Sequence, residues 1–190
     1  MRRRAAMLGV AALLPSALRA EDAPLTRLMQ ALAGVRERHA RFTEEKVIPE
    51  LDLPLPNEGT LSWIAPDRLE KVTLWPIQER LVVAGGRLTY ERTDRGVQRA
   101  FALSEQHEMQ ALVEAIRGTL AGDLVILRQH YEVAFEGRSD GPWRLVLMPI
   151  SVRLRSAVQR IVVTGEASEL LGVDTEGSGG TSRMRITPAP

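Results

Sequence analysis

Short apolar runs alternate with polar residues over positions 57–91, and this stretch has the clearest structural pattern in the chain. The runs are rich in Leu, Val, Ile, Thr, Trp and Tyr, which is typical of half-buried β-strands. Pro66 and Pro76 interrupt them, and Gly85 and Gly86 separate the last two. Because proline lacks an N–H and glycine tolerates positive φ angles, these positions predict turns. Since no helical period lies between the runs, we predict an antiparallel β-meander.

The same alternation predicts strands on both sides of the meander. Residues 40–48 form the first predicted strand, and residues 51–56, with two prolines, an extended edge or loop. Further strands are predicted at 97–103, 131–137, 143–149, 158–165, 168–175 and 183–187. Alternating Tyr131, Val133 and Phe135 place one face of a large sheet toward an apolar interior. The pattern gives roughly ten strands, and a sheet of that size should curl.

An amphipathic helix is predicted after residue 24, where apolar residues recur at the spacing of one helical face. These residues are Leu25, Leu28, Met29, Leu32 and Val35. Two interpretations of this helix remain open: it packs on the sheet as part of the core, or it is a movable lid over an apolar cavity.

A second helix is predicted after residue 104, with Ser104 as its N-cap and Gly122 at its end. Its apolar stripe consists of Met109, Leu112, Val113, Ile116 and Leu120. This helix interrupts an otherwise continuous β pattern, so it should lie across a sheet face or a barrel mouth. Residues 124–127 are apolar enough to be buried, and residues 151–157 are predicted to be a polar connection.

The N-terminal residues 1–20 have the pattern of a cleavable secretory signal. Arg2, Arg3 and Arg4 precede an apolar run of about half the length that a membrane span needs, and Ala20 is a small residue for cleavage. Residues 21–190 then form a single domain, which is predicted to be exported to the periplasm. Removing residues 1–20 takes away four arginines and no acid, so 25 basic and 24 acidic residues become 21 and 24, a formal charge of about −3.

Composition excludes several classes of function. The chain has no cysteine, so disulfides, thiolate catalysis and zinc–cysteine sites are ruled out. Without a basic cluster, nucleic acid is not an expected partner. His39, His107 and His130 lie far apart and show no metal-binding spacing. No nucleophile motif occurs, and paired acids such as Glu44 and Glu45 sit at adjacent strand positions that point to opposite faces, so they cannot act on one bond. We therefore expect no catalytic residue, metal or cofactor, and no enzyme.

What remains is an apolar concave surface. A curved sheet covered by amphipathic helices can fill itself with side chains or leave a cavity for an acyl chain, and the pattern leaves both outcomes open. Trp63, Trp75 and Trp143 are candidates to line such a cavity, and ordinary core positions are the alternative.

The order of several segments resembles the LolA-like family of periplasmic lipoprotein carriers. After the signal and the first helix come ARFTEEK, GTLSWIAPDRLEK, LVVAGGRLTYE, a helix ending LAGD, WRLVLMP and VQRIVVTGE. The resemblance implies a mainly β fold with α-helices: a strongly curved, unclosed antiparallel β-barrel of about ten to eleven strands with a helical lid. It also implies an apolar cavity that shields the acyl chains of a lipoprotein, without covalent chemistry.

The chain departs from the carrier proper at the latch position, and its lengthy LDLPLPNEG segment and helix ending LAGD also resemble a divergent branch. In the carrier proper, an arginine before the proline of the second-strand turn latches the lid, and Ala65 stands there in this sequence. Arg68 is a possible replacement for the latch if its side chain points inward, and a solvated strand arginine is the alternative. The departure places the chain in a divergent branch, in which the cargo can be another lipid-linked product.

The leading hypothesis is a monomeric periplasmic carrier of a lipid or acylated protein, with an inner-membrane donor and an outer-membrane acceptor. The predicted lipid-binding residues are Phe42, Trp63, Leu69, Leu81, Leu112, Val113 and Ile116. The alternative is a non-enzymatic interaction or sensor module of the same fold with a filled core.

Overall fold

The computed structural model describes residues 17–51 and 53–189. Most of the predicted signal, residues 1–16, lies outside the described residues. The first helix already begins at Ala17. Cleavage after Ala20 would therefore leave most of this helix in the mature protein.

In the described part of the chain, four α-helices and eleven strands alternate with short turns. The helices are α1 (Ala17–Ala33), α2 (His107–Leu120), α3 (Leu124–His130) and α4 (Val152–Ala157). The first six strands are β1 (Glu37–Val47), β2 (Leu55–Ile64), β3 (Arg68–Trp75), β4 (Glu79–Ala84), β5 (Arg87–Arg92) and β6 (Val97–Ala102). The others are β7 (Tyr131–Gly137), β8 (Pro142–Pro149), β9 (Val158–Glu166), β10 (Glu169–Gly177) and β11 (Gly180–Pro188).

All eleven strands belong to one antiparallel sheet in the order β6-β5-β4-β3-β2-β1-β11-β10-β9-β8-β7. Strands that pair are consecutive in sequence except at the centre of the sheet, where β1 pairs with β11. The edge strands β6 and β7 do not pair with each other, so the barrel is not closed. Helices α2 and α3 lie in the connection between these two edges. The predicted fold class, an unclosed antiparallel barrel with a helical part, is confirmed.

The central meander follows the sequence pattern closely. Strands β2 to β5 pair one after another, and Pro66 and Pro76 lie in the turns on either side of β3. Gly85 and Gly86, between β4 and β5, have φ angles of 56° and 70°. The turns at these positions are therefore confirmed. Glycine occupies positions 85 and 86 because the turn requires positive φ angles there.

The core lies between α1 and the β7–β9 side of the sheet. Leu25, Leu28 and Leu32 of α1 are buried in one cluster with Leu145 and Ile161 of the sheet. Gly122 ends α2 with a φ of 65°, and a Cβ there would lie 2.0 Å from the Met29 carbonyl oxygen of α1. Helix α1 is therefore packed as core against both the sheet and the end of α2.

Three local predictions were wrong. Ser104 is not the N-cap of α2, because Leu103–Glu105 form a 3₁₀ helix and α2 begins after Gln106. The Leu103 N–H donates to the Gly86 carbonyl and its side chain is buried, so the sheet edge holds this segment.

Residues 124–127, predicted to be buried, begin α3; Leu127 is buried, but Val125 is exposed. Asp123 caps α3 by accepting from the Ile126 N–H at 3.0 Å. The predicted polar connection at 151–157 contains the helix α4, whose cap is Ser151.

Candidate functional site

A cavity of about 370 Å³ lies between the concave face of the sheet and α2. Alternate residues of a strand point to one face, and the apolar residues of the wall follow this spacing in β2, β4 and β11. On the β2–β4 side the wall consists of Leu61, Trp63, Leu69, Leu81 and Val83. On the β9–β11 side it consists of Ile161, Val173, Met184 and Ile186. The wall is therefore mainly hydrocarbon on both sides.

Helix α2 covers this cavity with one of its two apolar faces. Leu112, Val113, Ile116 and Leu120 line the cavity, and Leu112 and Ile116 stay half-buried because the space beside them is not filled. The other face carries the small residues Ala111, Ala115 and Gly118, all buried. A Cβ at position 118 would lie 2.9 Å from a Leu127 methyl carbon, so this face packs tightly on α3. The larger side chains of α2 thus face the hollow.

A hydrogen bond from Tyr131 fixes the position of α2. Its hydroxyl donates to the Ala111 carbonyl oxygen at 2.9 Å, and its ring is buried. Burial raises the pKa of Tyr131 well above its ordinary value, so the hydroxyl keeps its proton and remains a donor. This bond ties α2 to the start of β7.

Six of the seven predicted lipid-binding residues line the cavity: Trp63, Leu69, Leu81, Leu112, Val113 and Ile116. The seventh, Phe42, is buried and lies outside this lining. Its ring lies under Lys71, with 4.6 Å between Nζ and the ring centroid. Phe42 therefore supports a polar side chain of the wall.

The other tryptophans lie elsewhere. Trp75 ends β3 and is 51% exposed. Trp143 is buried in the main core, and its Nε1 donates to the Ala167 carbonyl oxygen at 2.8 Å. Of the three tryptophans, Trp63 is the one that lines the cavity.

Arg68, the predicted candidate for a latch, alternates with the cavity-lining Leu69 and so faces the other side of the sheet. Its Nη2 donates to Glu70 Oε2 at 2.9 Å, and Glu70 in turn accepts from Arg80 Nε at 2.8 Å. The bonds that the structure gives Arg68 are within this charged ladder and not with a helix.

An arginine that the sequence pattern did not single out holds the end of α1. Arg38 of β1 lines the cavity, and its guanidinium donates to the carbonyl oxygens of Leu32 in α1 and Ser168 in the β9–β10 turn. Glu169 lies 3.6 Å away, and burial lowers the pKa of Arg38 below its ordinary value, against the opposing effect of Glu169. The predicted strand began at residue 40, so the alternation that places Arg38 on the concave face was not recognised.

A second group missed by the sequence analysis is a polar cluster formed by Glu44, Lys71 and Ser182. Glu44 Oε2 lies 2.5 Å from Lys71 Nζ, and Glu44 Oε1 accepts from Ser182 Oγ at 2.6 Å. Glu44 is 5% exposed, and both Glu44 and Lys71 line the cavity. Alternation in β1 and β3 places both on the concave face, and it is the signal that could have identified them.

The cluster holds an ion pair. Desolvation alone would raise the pKa of Glu44, but the charge and hydrogen bond of Lys71, with the bond from Ser182, outweigh it and lower this pKa below its ordinary value. Burial lowers the pKa of Lys71, and Glu44 opposes that effect. Glu44 is therefore a carboxylate near neutral pH, and the contact of 2.5 Å between its Oε2 and Nζ of Lys71 makes Lys71 its ammonium partner.

In residues 17–51 and 53–189, no three His, Cys, Asp or Glu side chains come together in a way that could hold a metal ion. None of the helices described there has the length and apolar character required to cross a bilayer.

No curated protein matches the sequence significantly. Among solved structures, the chain is similar to a DUF1329 family protein from Desulfovibrio piger, with 10% identity, a TM-score of 0.48 and coverage of 86% of this chain and 88% of that one. It is similar to a LolA superfamily protein from Nitrosomonas europaea, with 11% identity, a TM-score of 0.43 and coverage of 86% and 91%.

It is also similar to LprF from Mycobacterium bovis, with 13% identity, a TM-score of 0.37 and coverage of 90% and 94%. The family model described as "outer membrane lipoprotein carrier protein LolA-like" matches residues 16–187. The chain therefore belongs to the LolA-like family of outer membrane lipoprotein carrier proteins.

Proposed function

We propose that the protein is a periplasmic carrier that binds the acyl chains of a lipoprotein or another lipid-linked product in the cavity under α2. The carrier would move its cargo toward the outer membrane. The observation that carries this proposal is the cavity itself, whose wall is built from aliphatic side chains of both halves of the sheet and of α2. Its volume of about 370 Å³ lies within the range of about 300–1,000 Å³ typical of ligand pockets.

Desolvation supplies the binding energy in this proposal. Each methylene group moved from water into an apolar site contributes about 0.8 kcal/mol, so a segment of ten methylenes contributes about 8 kcal/mol. Such a free energy corresponds to a Kd of about 1 μM before the cost of ordering the chain is subtracted. Useful affinity therefore follows from burial, and no covalent step is required.

Release requires that the apolar wall be exposed to another hydrophobic site. The cavity-facing residues of α2 are only half-buried at Leu112 and Ile116, whereas its small-residue face is fully packed. A partner that offers a better apolar surface would compete with the cavity for the chain. We propose an inner-membrane donor and an outer-membrane acceptor as these partners, and a monomer as the carrier itself.

Export is part of the proposal. Residues 1–20 would direct the chain to the periplasm and be removed, and residues 21–190 would form the working domain. Mass spectrometry of the protein recovered from the periplasmic fraction would test this, because a mature chain starting at Glu21 is expected.

The test of binding is native mass spectrometry of the purified protein, followed by lipid extraction. We expect a bound lipid, or one equivalent of an apolar dye taken up after delipidation. A matched pair of variants sharpens the test: Ile116→Asp places a charge in the cavity wall, and Val125→Asp places one on the exposed surface of α3.

Ile116→Asp should abolish binding, and Val125→Asp should leave it unchanged. If the purified protein binds neither lipid nor dye, the alternative is supported, namely an interaction or sensor module whose interior does not take up ligand.

A further inference from the structure

The ion pair of Glu44 and Lys71 is an unexpected feature of an apolar cavity. Taking two charges out of water costs several kcal/mol per ion, and apolar residues of similar size are often as stable or more stable in such positions. Wherever an apolar pocket has a small number of convergent polar groups, those groups usually fix the orientation of the ligand. The free hydrogen-bonding groups of the cluster therefore decide which ligand atoms can bind there.

Lys71 keeps a spare hydrogen-bond donor, while each oxygen of Glu44 already accepts one hydrogen bond within the cluster. Glu44 already accepts from Lys71 at one oxygen and from Ser182 at the other. The Lys71 ammonium carries three N–H groups, and Glu44 is the acceptor that the structure gives it. The Phe42 ring covers one side of Nζ. At least one N–H of Lys71 is thus left for an acceptor oxygen of a ligand.

The charges around Lys71 favour a neutral acceptor over an anion. Glu44 neutralises Lys71 at 2.5 Å, and the next charges are Lys46, 3.9 Å from Glu44, and Glu79, which acts electrostatically on Lys71. These four groups carry two positive and two negative charges. A ligand carboxylate or phosphate would therefore meet no net positive charge here.

The position of Lys71 connects the donor with the hydrocarbon wall. In the sheet, Lys71 lies directly opposite Leu61 of β2 and Leu81 of β4, and both line the cavity. Leu69, two residues along β3 on the same face, lies about 7 Å further along the wall. A chain whose polar end meets Lys71 can therefore lie along aliphatic side chains from its first methylene groups.

We propose that Lys71, held by Glu44, which in turn accepts from Ser182, donates a hydrogen bond to the ester or amide carbonyl that joins an acyl chain to its headgroup. This inference rests on the proposed function and deepens it: the cavity selects acyl esters and amides over free fatty acids and over ether-linked or simple alkyl chains. Lys71 is the donor, and Glu44 and Ser182 are positioning residues. The ring of Phe42 packs against the ammonium group of Lys71.

The test compares three ligands of equal chain length on the unmodified protein: glycerol monolaurate, its ether analogue 1-O-dodecylglycerol, and laurate. Competition with an apolar dye gives the three affinities. Since a hydrogen bond to a charged group is worth about a factor of ten or more in affinity, the ester should bind about tenfold more tightly than the ether. It should also bind more tightly than laurate.

Two variants assign the preference to the cluster. The double variant Glu44→Gln with Lys71→Met removes both charges, and it should bind ester and ether equally while keeping the alkyl affinity. Glu44→Gln alone leaves Lys71 uncompensated, and it should shift the preference toward laurate. Glu136→Gln with Arg144→Met is the matched control, because this ion pair lies on the opposite face of β7 and β8.

The outcomes separate the two proposals. If the ether binds but the ester gains nothing over it, or if the double variant keeps the ester preference, the inference about Lys71 is overturned and the carrier proposal stands. If neither ester nor ether binds, both proposals fail. The comparison of ester with ether uses the unmodified chain, so it decides the question even when a variant does not fold.

The infrared frequency of the bound ester carbonyl is a second readout, and we expect it to be lower in the unmodified protein than in the double variant.

Discussion

Filling the cavity from its wall should block ligand binding without harming the fold. Ala40 of β1 lines the cavity opposite Leu61, and its small side chain leaves room in front of it. Ala40→Leu adds three carbon atoms to the wall. If they enter space that ligand would occupy, about three ligand methylenes are displaced, which costs about 2.4 kcal/mol of binding at 0.8 kcal/mol per methylene. The expected loss of affinity is therefore about 50-fold.

The effect of Ala40→Leu on the free energy of unfolding also shows whether the interior is filled or hollow. In a filled core, three extra carbons force neighbouring side chains apart and usually cost about 1–3 kcal/mol. In a hollow they find free volume and bury apolar surface, so the free energy of unfolding should stay the same or rise. The two measurements together thus distinguish a hollow from a packed interior.

The assay is titration of an apolar fluorescent dye, paired with urea unfolding of the same samples. Ala134→Leu is the matched control, because Ala134 is an exposed strand residue of β7 on the other face of the sheet. It should change neither dye binding nor stability. A destabilised Ala40→Leu with unchanged dye binding would refute the reasoning, since it would show that no ligand space lies in front of Ala40.

Three further predictions follow from polar contacts. Arg38→Gln should remove the bond to the Leu32 carbonyl and speed amide hydrogen exchange in the last turn of α1, and unchanged exchange there would contradict the assigned role. Tyr131→Phe removes the bond to the Ala111 carbonyl and should cost about 1 kcal/mol in urea unfolding; a change close to zero would show that α2 does not depend on it. Glu44 has a folded pKa below its ordinary 4.5, so its contribution to stability is present above pH 4.5 and is lost as pH falls through the folded pKa. The acid slope of stability should accordingly be smaller in Glu44→Gln, and an unchanged slope would assign the acid sensitivity to other carboxylates.

The meander was predictable because its determinants are local. Proline and glycine at positions 66, 76, 85 and 86 fix the turns, and once the turns are fixed the alternation decides which side chains share a face. For this reason Trp63, Leu69 and Leu81 were placed on the cavity wall from sequence alone.

The segments that were mispredicted depend on distant contacts. Leu103 is held by the Gly86 carbonyl across the sheet edge, which delays the start of α2 beyond Ser104. Helix α4 has only six residues, too few for a recognisable helical period, and its Leu154 is buried by packing on the sheet. A single sequence carries no signal for contacts of this kind.

Whether the concave face is hollow or filled could not be decided from the sequence, for a different reason. Alternation tells which residues point inward, but the space between them depends on how closely α2 approaches the sheet. The small residues Ala111, Ala115 and Gly118 determine this distance. They allow α2 to pack closely on the neighbouring core, so that its larger side chains lie over the cavity. The polar cluster was missed because Glu44 and Lys71 are far apart in the chain and meet only when β1 and β3 share the concave face.

The central claim, that the concave face takes up an acyl chain, is tested most directly by NMR contacts between a ¹³C-labelled acyl ligand and the methyl groups of the protein. We predict intermolecular contacts to Leu69, Leu81 and Ile116 of the cavity wall, and none to the exposed Val125 and Val152. Contacts confined to the exposed residues, or none at all with a bound ligand, would contradict the account.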